Sequence, residues 1–107
     1  MRQGMNVLYG DTIASFIASL EKATIAKVIR AIVLLEQFGS RLGMPHSKMI
    51  DRRLFELRVR GIQEVRIFYT FHGGAVVLLH GCVKQSRRIP SRELATAWQR
   101  MQSLDEI

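Results

Sequence analysis

Cysteine occurs once, at Cys82, so neither a disulfide framework nor a cysteine zinc site can form within one chain. That usage implies a reducing compartment. Proline occurs only at positions 45 and 90, and no Pro/Gly/Ser linker, internal repeat or low-complexity tract divides the chain. No apolar run approaches the roughly 20 residues that a membrane span needs. The opening MRQGMNVLYGD lacks the apolar h-region of a signal peptide. The expectation is a cytoplasmic protein with no membrane contact. No HExxH, P-loop or nucleophile-elbow spacing occurs, and the nine acidic residues are too scattered for a two-metal nuclease. Any chemistry is therefore expected to use neither a metal nor a cofactor.

Apolar residues make up 48% of the 107, enough for one core and one domain over 1–107. Sixteen Lys and Arg give a net charge of +7, and the excess is uneven. Residues 41–100 hold twelve basic side chains against four acidic ones, while the rest of the chain is close to neutral. A basic excess gathered in one part of a small domain is the footprint of a polyanion binder. A merely soluble basic surface is the competing explanation.

Asp11 or Thr12 is placed to cap a helix running to Glu21, with Ile13, Phe16, Ile17 and Leu20 at helical spacing. A second helix is predicted from about Thr24 to Phe38, with Ile25, Val28, Ile29, Ile32 and Leu35 as its apolar stripe and Gly39 as a left-handed terminator. GMPHSKMID reads as a loop. The period then changes to 2, and LFELRV, EVRIFYTF and AVVLLHGCVK read as three antiparallel strands turning at RGIQ and HGG. Pro90 and Ser91 open a last helix with Leu94, Ala97, Trp98 and Met101 on its apolar side. Met5 to Tyr9 can add a short strand. The expected class is α+β: a small antiparallel sheet with an N-terminal helical hairpin and a C-terminal helix.

Even-numbered turns at Gly73-Gly74 and Gly61-Ile62 would put Arg58, Tyr69, His80 and Lys84 on one side of the sheet. Phe55, Leu57, Val59, Phe68, Val77, Leu79, Val83 and Arg66 would fall on the other. The first group, beside Lys84, Arg87 and Arg88 in LHGCVKQSRRIP, suits a phosphodiester. Guanidinium groups grip phosphate oxygens in pairs, and aromatic rings stack on unpaired bases. Structural alternatives stand beside each residue: His80 as a hydrogen-bonded half-buried ring, Tyr69 as a core ring, Cys82 as a small hydrophobe, and Lys48, Arg52 and Arg53 as a solvated loop.

FGSRLGMPHSKMIDRRLFELRVRG, followed by EVRIFY, VVLLHGCVKQSRRIP and a closing helix, strongly resembles the phage-derived, HigB-like branch of the RelE superfamily of bacterial toxins. The likeness runs from about Phe16 to Met101. Its patterns are G-x-x-L-G-M-P, the L-x-E-L-R and R-I-F-Y strands, and L-L-H-G-x-V-K before a Ser/Thr and a proline. The resemblance implies a RelE-like fold and the toxin of a type II toxin–antitoxin system. It also implies an endoribonuclease that cuts mRNA on the ribosome, held inactive by a helix-turn-helix antitoxin; a homodimer is left open. Matched by position, Arg58, Arg66, Tyr69 and Lys84 are the implied catalytic residues; His80 is a candidate alternate, and Arg87, Arg88 and Lys48 are candidates for holding RNA. Gln85 stands where the family's second lysine would be.

The implied reaction is attack of a ribose 2′-hydroxyl on the adjacent phosphate, giving a cyclic phosphate and a free 5′-hydroxyl. It needs a base, support for phosphorane charge and an acid for the leaving group. Like charges nearby favour the neutral amine of a lysine, which makes Lys84 the first candidate for proton transfer. Arg58 and Arg66 would clamp the phosphate. A degenerate toxin that binds nucleic acid without cutting it is the alternative, and Gln85 points that way.

Overall fold

A computed structural model describes residues 4–105, so residues 1–3 and 106–107 of the single-domain extent read from the sequence lie outside the described residues. The chain runs β1 (Val7–Leu8), α1 (Asp11–Ala18), α2 (Lys22–Phe38), a 3-10 turn (Gly39–Arg41), β2 (Ser47–Asp51), β3 (Leu54–Val59), β4 (Val65–His72), β5 (Ala75–Val83) and α3 (Ser91–Leu104). The class is the expected α+β. Helix α1 ends earlier than the apolar spacing suggests, where the Ser19 hydroxyl donates to the Phe16 carbonyl at 2.6 Å and the chain turns directly into α2. Gly39, at φ 52°, terminates α2 in the left-handed region open to glycine.

The five strands lie in the order β1-β5-β4-β3-β2. β1 pairs parallel to β5, and the remaining neighbours are antiparallel. Gly73 and Gly74, at φ 57° and 79°, make the two-residue turn between β4 and β5, and His72 pairs with Ala75 as expected. Two features differ from the sequence reading. The segment read as a loop contains β2, an edge strand of the sheet, whose alternation is broken by a register shift between Met49 and Asp51. The β3–β4 connection is longer than the two-residue tip expected at Gly61-Ile62: Val59 pairs with Val65, so Arg58 faces Arg66 and not Val65.

A third difference sorts the side chains. Phe68 pairs with His80 but Tyr69 pairs with Leu78, so Leu79 is an extra residue on β5 and every side chain beyond it changes face. Tyr69 lies with Leu57, Ile67 and Leu78 under α1 and α2, in a core that includes Ile13, Val28 and Leu35. Phe68, Leu79 and Cys82 lie on the other face with Leu54, against Ala97 and Met101 of α3. Helices thus cover both sides of the sheet, which makes three layers.

The hairpin face is closed around its glycine. A Cβ on Gly81 would come within 2.5 Å of the Phe16 ring, so α1 sits against β5 only because position 81 has no side chain. The stripe on α2 is rotated from the expected one: Thr24, Val28, Ala31 and Leu35 are buried, and Ile29 is 53% exposed.

Candidate functional site

Strand register alone places the polar residues of the α3 face. Lys48, Glu56, Phe68 and His80 form one row across β2, β3, β4 and β5. Arg58, Arg66 and Cys82 form the next. Lys84 continues β5 beyond Cys82, and its amide donates to the Glu64 carbonyl at 2.6 Å. From there the chain enters the loop that carries exposed Arg87 and Arg88 and reaches α3 at Ser91. Arg58, Arg66, His80, Lys84 and Lys48 therefore share one face.

Tyr69 does not join them. The extra residue on β5 and the longer β3–β4 loop reverse its grouping with Arg58, His80 and Lys84 and bring Arg66 over in its place. Its ring stacks on Phe55 at a centroid distance of 5.4 Å, and its hydroxyl shares a short hydrogen bond with Ser47. Burial pushes the phenol above its ordinary pKa, partly offset by that bond.

The two arginines differ in what they can offer a ligand. Arg66 is 1% exposed, with Nε 3.7 Å from Glu56, Nη2 3.7 Å from Glu64 and Nη1 donating to the Val65 carbonyl at 3.0 Å. A guanidinium held this way supports its neighbours and does not reach out. Arg58 is less enclosed, at 17% side-chain exposure, with Nε 3.8 Å from Glu56 and Nη1 3.6 Å from the Met44 sulfur. Its buried Nε has no hydrogen-bond partner among the described residues, which leaves donor capacity unspent. The Lys84 ammonium likewise has no hydrogen-bond or ion-pair partner among them.

His80 is engaged at both ring nitrogens. Its Nε2 lies 2.6 Å from Glu93 Oε1, and Arg100 Nη1 stands 3.4 Å from Nδ1 while donating to the Leu79 carbonyl at 2.8 Å. A guanidinium can only donate, so in the neutral ring Nδ1 accepts and the Nε2 proton goes to Glu93. The ring lies parallel to Phe68 with centroids 6.4 Å apart. Glu93 and Cys82 also line a cleft of about 440 Å³ with Gln85, Ser86 and Arg92, between the end of β5 and the start of α3. Burial pushes the Cys82 thiol up to about 11, with further upward pressure from Glu93 and Glu56 partly offset by Arg66. It stays a thiol at neutral pH and offers no nucleophile.

Residues 15–102 match the family described as Phage derived protein Gp49-like (DUF891). The chain belongs to this family. Its members are RelE/HigB-like toxins, and a toxin family implies an antitoxin partner in general. No curated protein matches the chain at a significant level. The matched span of this Gp49-like chain contains every residue of the α3 face named above. Among the described residues no helix is long and apolar enough to cross a membrane, and no group of three or more His, Cys, Asp or Glu is arranged to hold a metal.

Sequence reasoning missed Glu56, Glu93 and Arg100. Glu56 had a signal, since it sits two residues from Arg58 on the same strand and must share its face. Glu93 and Arg100 had none, because only the seating of α3 brings them to His80.

Proposed function

We propose that this Gp49-like chain is the toxin of a type II toxin–antitoxin pair and acts as a metal-free endoribonuclease on mRNA at the ribosome, in the cytoplasm, neutralised by a helix-turn-helix antitoxin. The observation that carries the reading is the placement of Arg58, Lys84 and the His80–Glu93 pair on one sheet face, beside the basic loop holding Arg87 and Arg88. Arg58 supplies planar donors to the phosphorane. Lys84, with its ammonium uncommitted, is the first proton-transfer group, and the His80–Glu93 pair is the second. Arg66 is a positioning residue that holds Glu56 and, through it, Arg58. Arg87, Arg88 and Lys48 grip flanking phosphates. Tyr69, on the far side of the sheet, has no part in the reaction.

A non-catalytic nucleic-acid-binding module is the second reading. Two observations favour it: His80 must break a hydrogen bond before it can accept a proton, and Arg66 is already committed to carboxylates. Induction in a bacterial host separates the two. A toxin stops growth, its neighbouring gene product restores it, and mRNA from arrested cells carries new 5′-hydroxyl ends. Unchecked growth on induction would leave only the binding module.

A further inference from the structure

On the hairpin side of the sheet, α2 and the β3–β4 turn enclose a second cleft, of about 260 Å³. Lys27, Arg30, Arg58 and Arg60 line it, and no acidic residue does among the described residues. The rest of its lining is Ala31, Leu34, Pro45, His46 and Val59. Four cations around one opening repel each other; Glu56, 3.8 Å from Arg58 Nε, offsets one of them from outside the lining.

One of them is also tied into the turn. Lys27 Nζ donates to the Arg60 carbonyl at 3.2 Å, which ties α2 to the turn. A Cβ on Gly61 would come within 2.8 Å of that nitrogen, a contact that a small shift of the flexible Lys27 tip relieves.

Arg58 connects this cleft to the candidate active face. It lies at the end of β3 beyond the β2 pairing, where its amide donates to the His46 carbonyl at 2.8 Å, and it is the residue common to the cleft lining and the row with Arg66 and Cys82. Positive charge therefore runs from the loop at Arg87 and Arg88 along the α3 face to Arg58, then over the strand end to Arg30 and Arg60. A small anion would engage one or two of these donors and leave the others unpartnered. A chain of regularly spaced phosphates offers each cation a partner, and with His46 the single ring among the described lining residues the contact is mainly to backbone.

We propose that this cleft is a second RNA-backbone site, which extends the footprint of the bound strand around the end of β3. The inference rests on the reading of the α3 face as an RNA site. Its test compares two 2′-deoxy-blocked RNAs, of about four and about twelve nucleotides, titrated against salt. Arg30→Glu/Arg60→Glu should make the log–log salt slope for the long RNA shallower by about 1.4, two contacts at about 0.7 each, and leave the short RNA unchanged. Lys27→Gln, which removes the ammonium, should also weaken only the long RNA. Long-RNA binding unaffected by the double variant overturns the proposal, and so does equal loss for both lengths. The first result combined with escape from the neighbouring gene product would make the cleft a protein-docking site. If the unmodified chain binds neither RNA, the RNA reading of the α3 face fails, and this inference falls with it.

Discussion

Arg58 and Arg66 stand directly opposite each other across β3 and β4, and Glu56 approaches both, at 3.8 and 3.7 Å. Like charges at facing positions of a sheet are destabilising, so the carboxylate makes the arrangement tenable. The whole triad is largely withdrawn from solvent, with Glu56 6% exposed.

Glu56→Gln removes the compensating charge and leaves two guanidinium groups facing each other. The expected loss is about 3 kcal/mol by urea denaturation, the cost of stranding a buried charge. Adding Arg66→Met should recover most of it, because apolar replacement of a buried ion pair is often close to neutral. A single variant as stable as the parent would mean that Glu64 alone neutralises Arg66.

Tyr69→Phe tests the assignment of Tyr69 to the hairpin core. It keeps the buried ring and removes one hydroxyl, at a cost of about 1 kcal/mol for the bond to Ser47. Cleavage and RNA binding should be unchanged. A large fall in cleavage by a variant that still melts near the parent temperature would return the phenol to the chemistry.

The residues that misled the sequence reading are few and physically specific. Gly73-Gly74 was legible because two consecutive left-handed residues require glycine, and the register of His72 with Ala75 follows from it. Gly39 was legible for the same reason. The extra residue at Leu79 leaves no trace in composition: leucine suits either face, and one such insertion moves His80, Cys82 and Lys84 across the sheet relative to Tyr69. β2 was hidden because Lys48 and Met49 are both exposed, so an edge strand showed no alternation. Burial of Arg66 was illegible because it depends on Glu56 and Glu64, whose reach is a property of the packed sheet.

Cys82 should shape the alkaline limb of stability. Its thiol is pushed from an ordinary 9.0 up to about 11, so the folded chain holds the proton where the unfolded chain has lost it. The sign is therefore a contribution present in full below pH 9 and lost as pH rises through about 11, amounting to at most about 3 kcal/mol. Tyr69 is shifted the same way and adds a loss in the same sense at higher pH. Cys82→Ala should flatten the difference in stability between pH 8 and pH 11, read by denaturation at each pH. The thiol should also resist alkylation at neutral pH until the chain unfolds. Rapid labelling of the folded protein would show an exposed thiolate instead.

Arg58 and Lys84 separate an enzyme from a binder. If Arg58 meets charge that develops only in the transition state, Arg58→Ala should lower the single-turnover cleavage rate by roughly 10²–10³, with a much smaller loss of binding. Arg58→Lys should restore only part of the rate, since a point-like ammonium cannot reproduce a planar two-pronged grip. Lys84→Ala should lower the rate and change its pH profile, because it removes an ionising group from the chemical step; Lys84→Arg should keep the binding and not the profile. The measurement is cleavage on programmed ribosomes beside binding of a 2′-deoxy substrate that cannot be cut. Equal losses of binding and cleavage in both variants would mean that these side chains only hold RNA. Absence of cleavage by the unmodified chain, with RNA still bound, would establish the binding module in place of the enzyme.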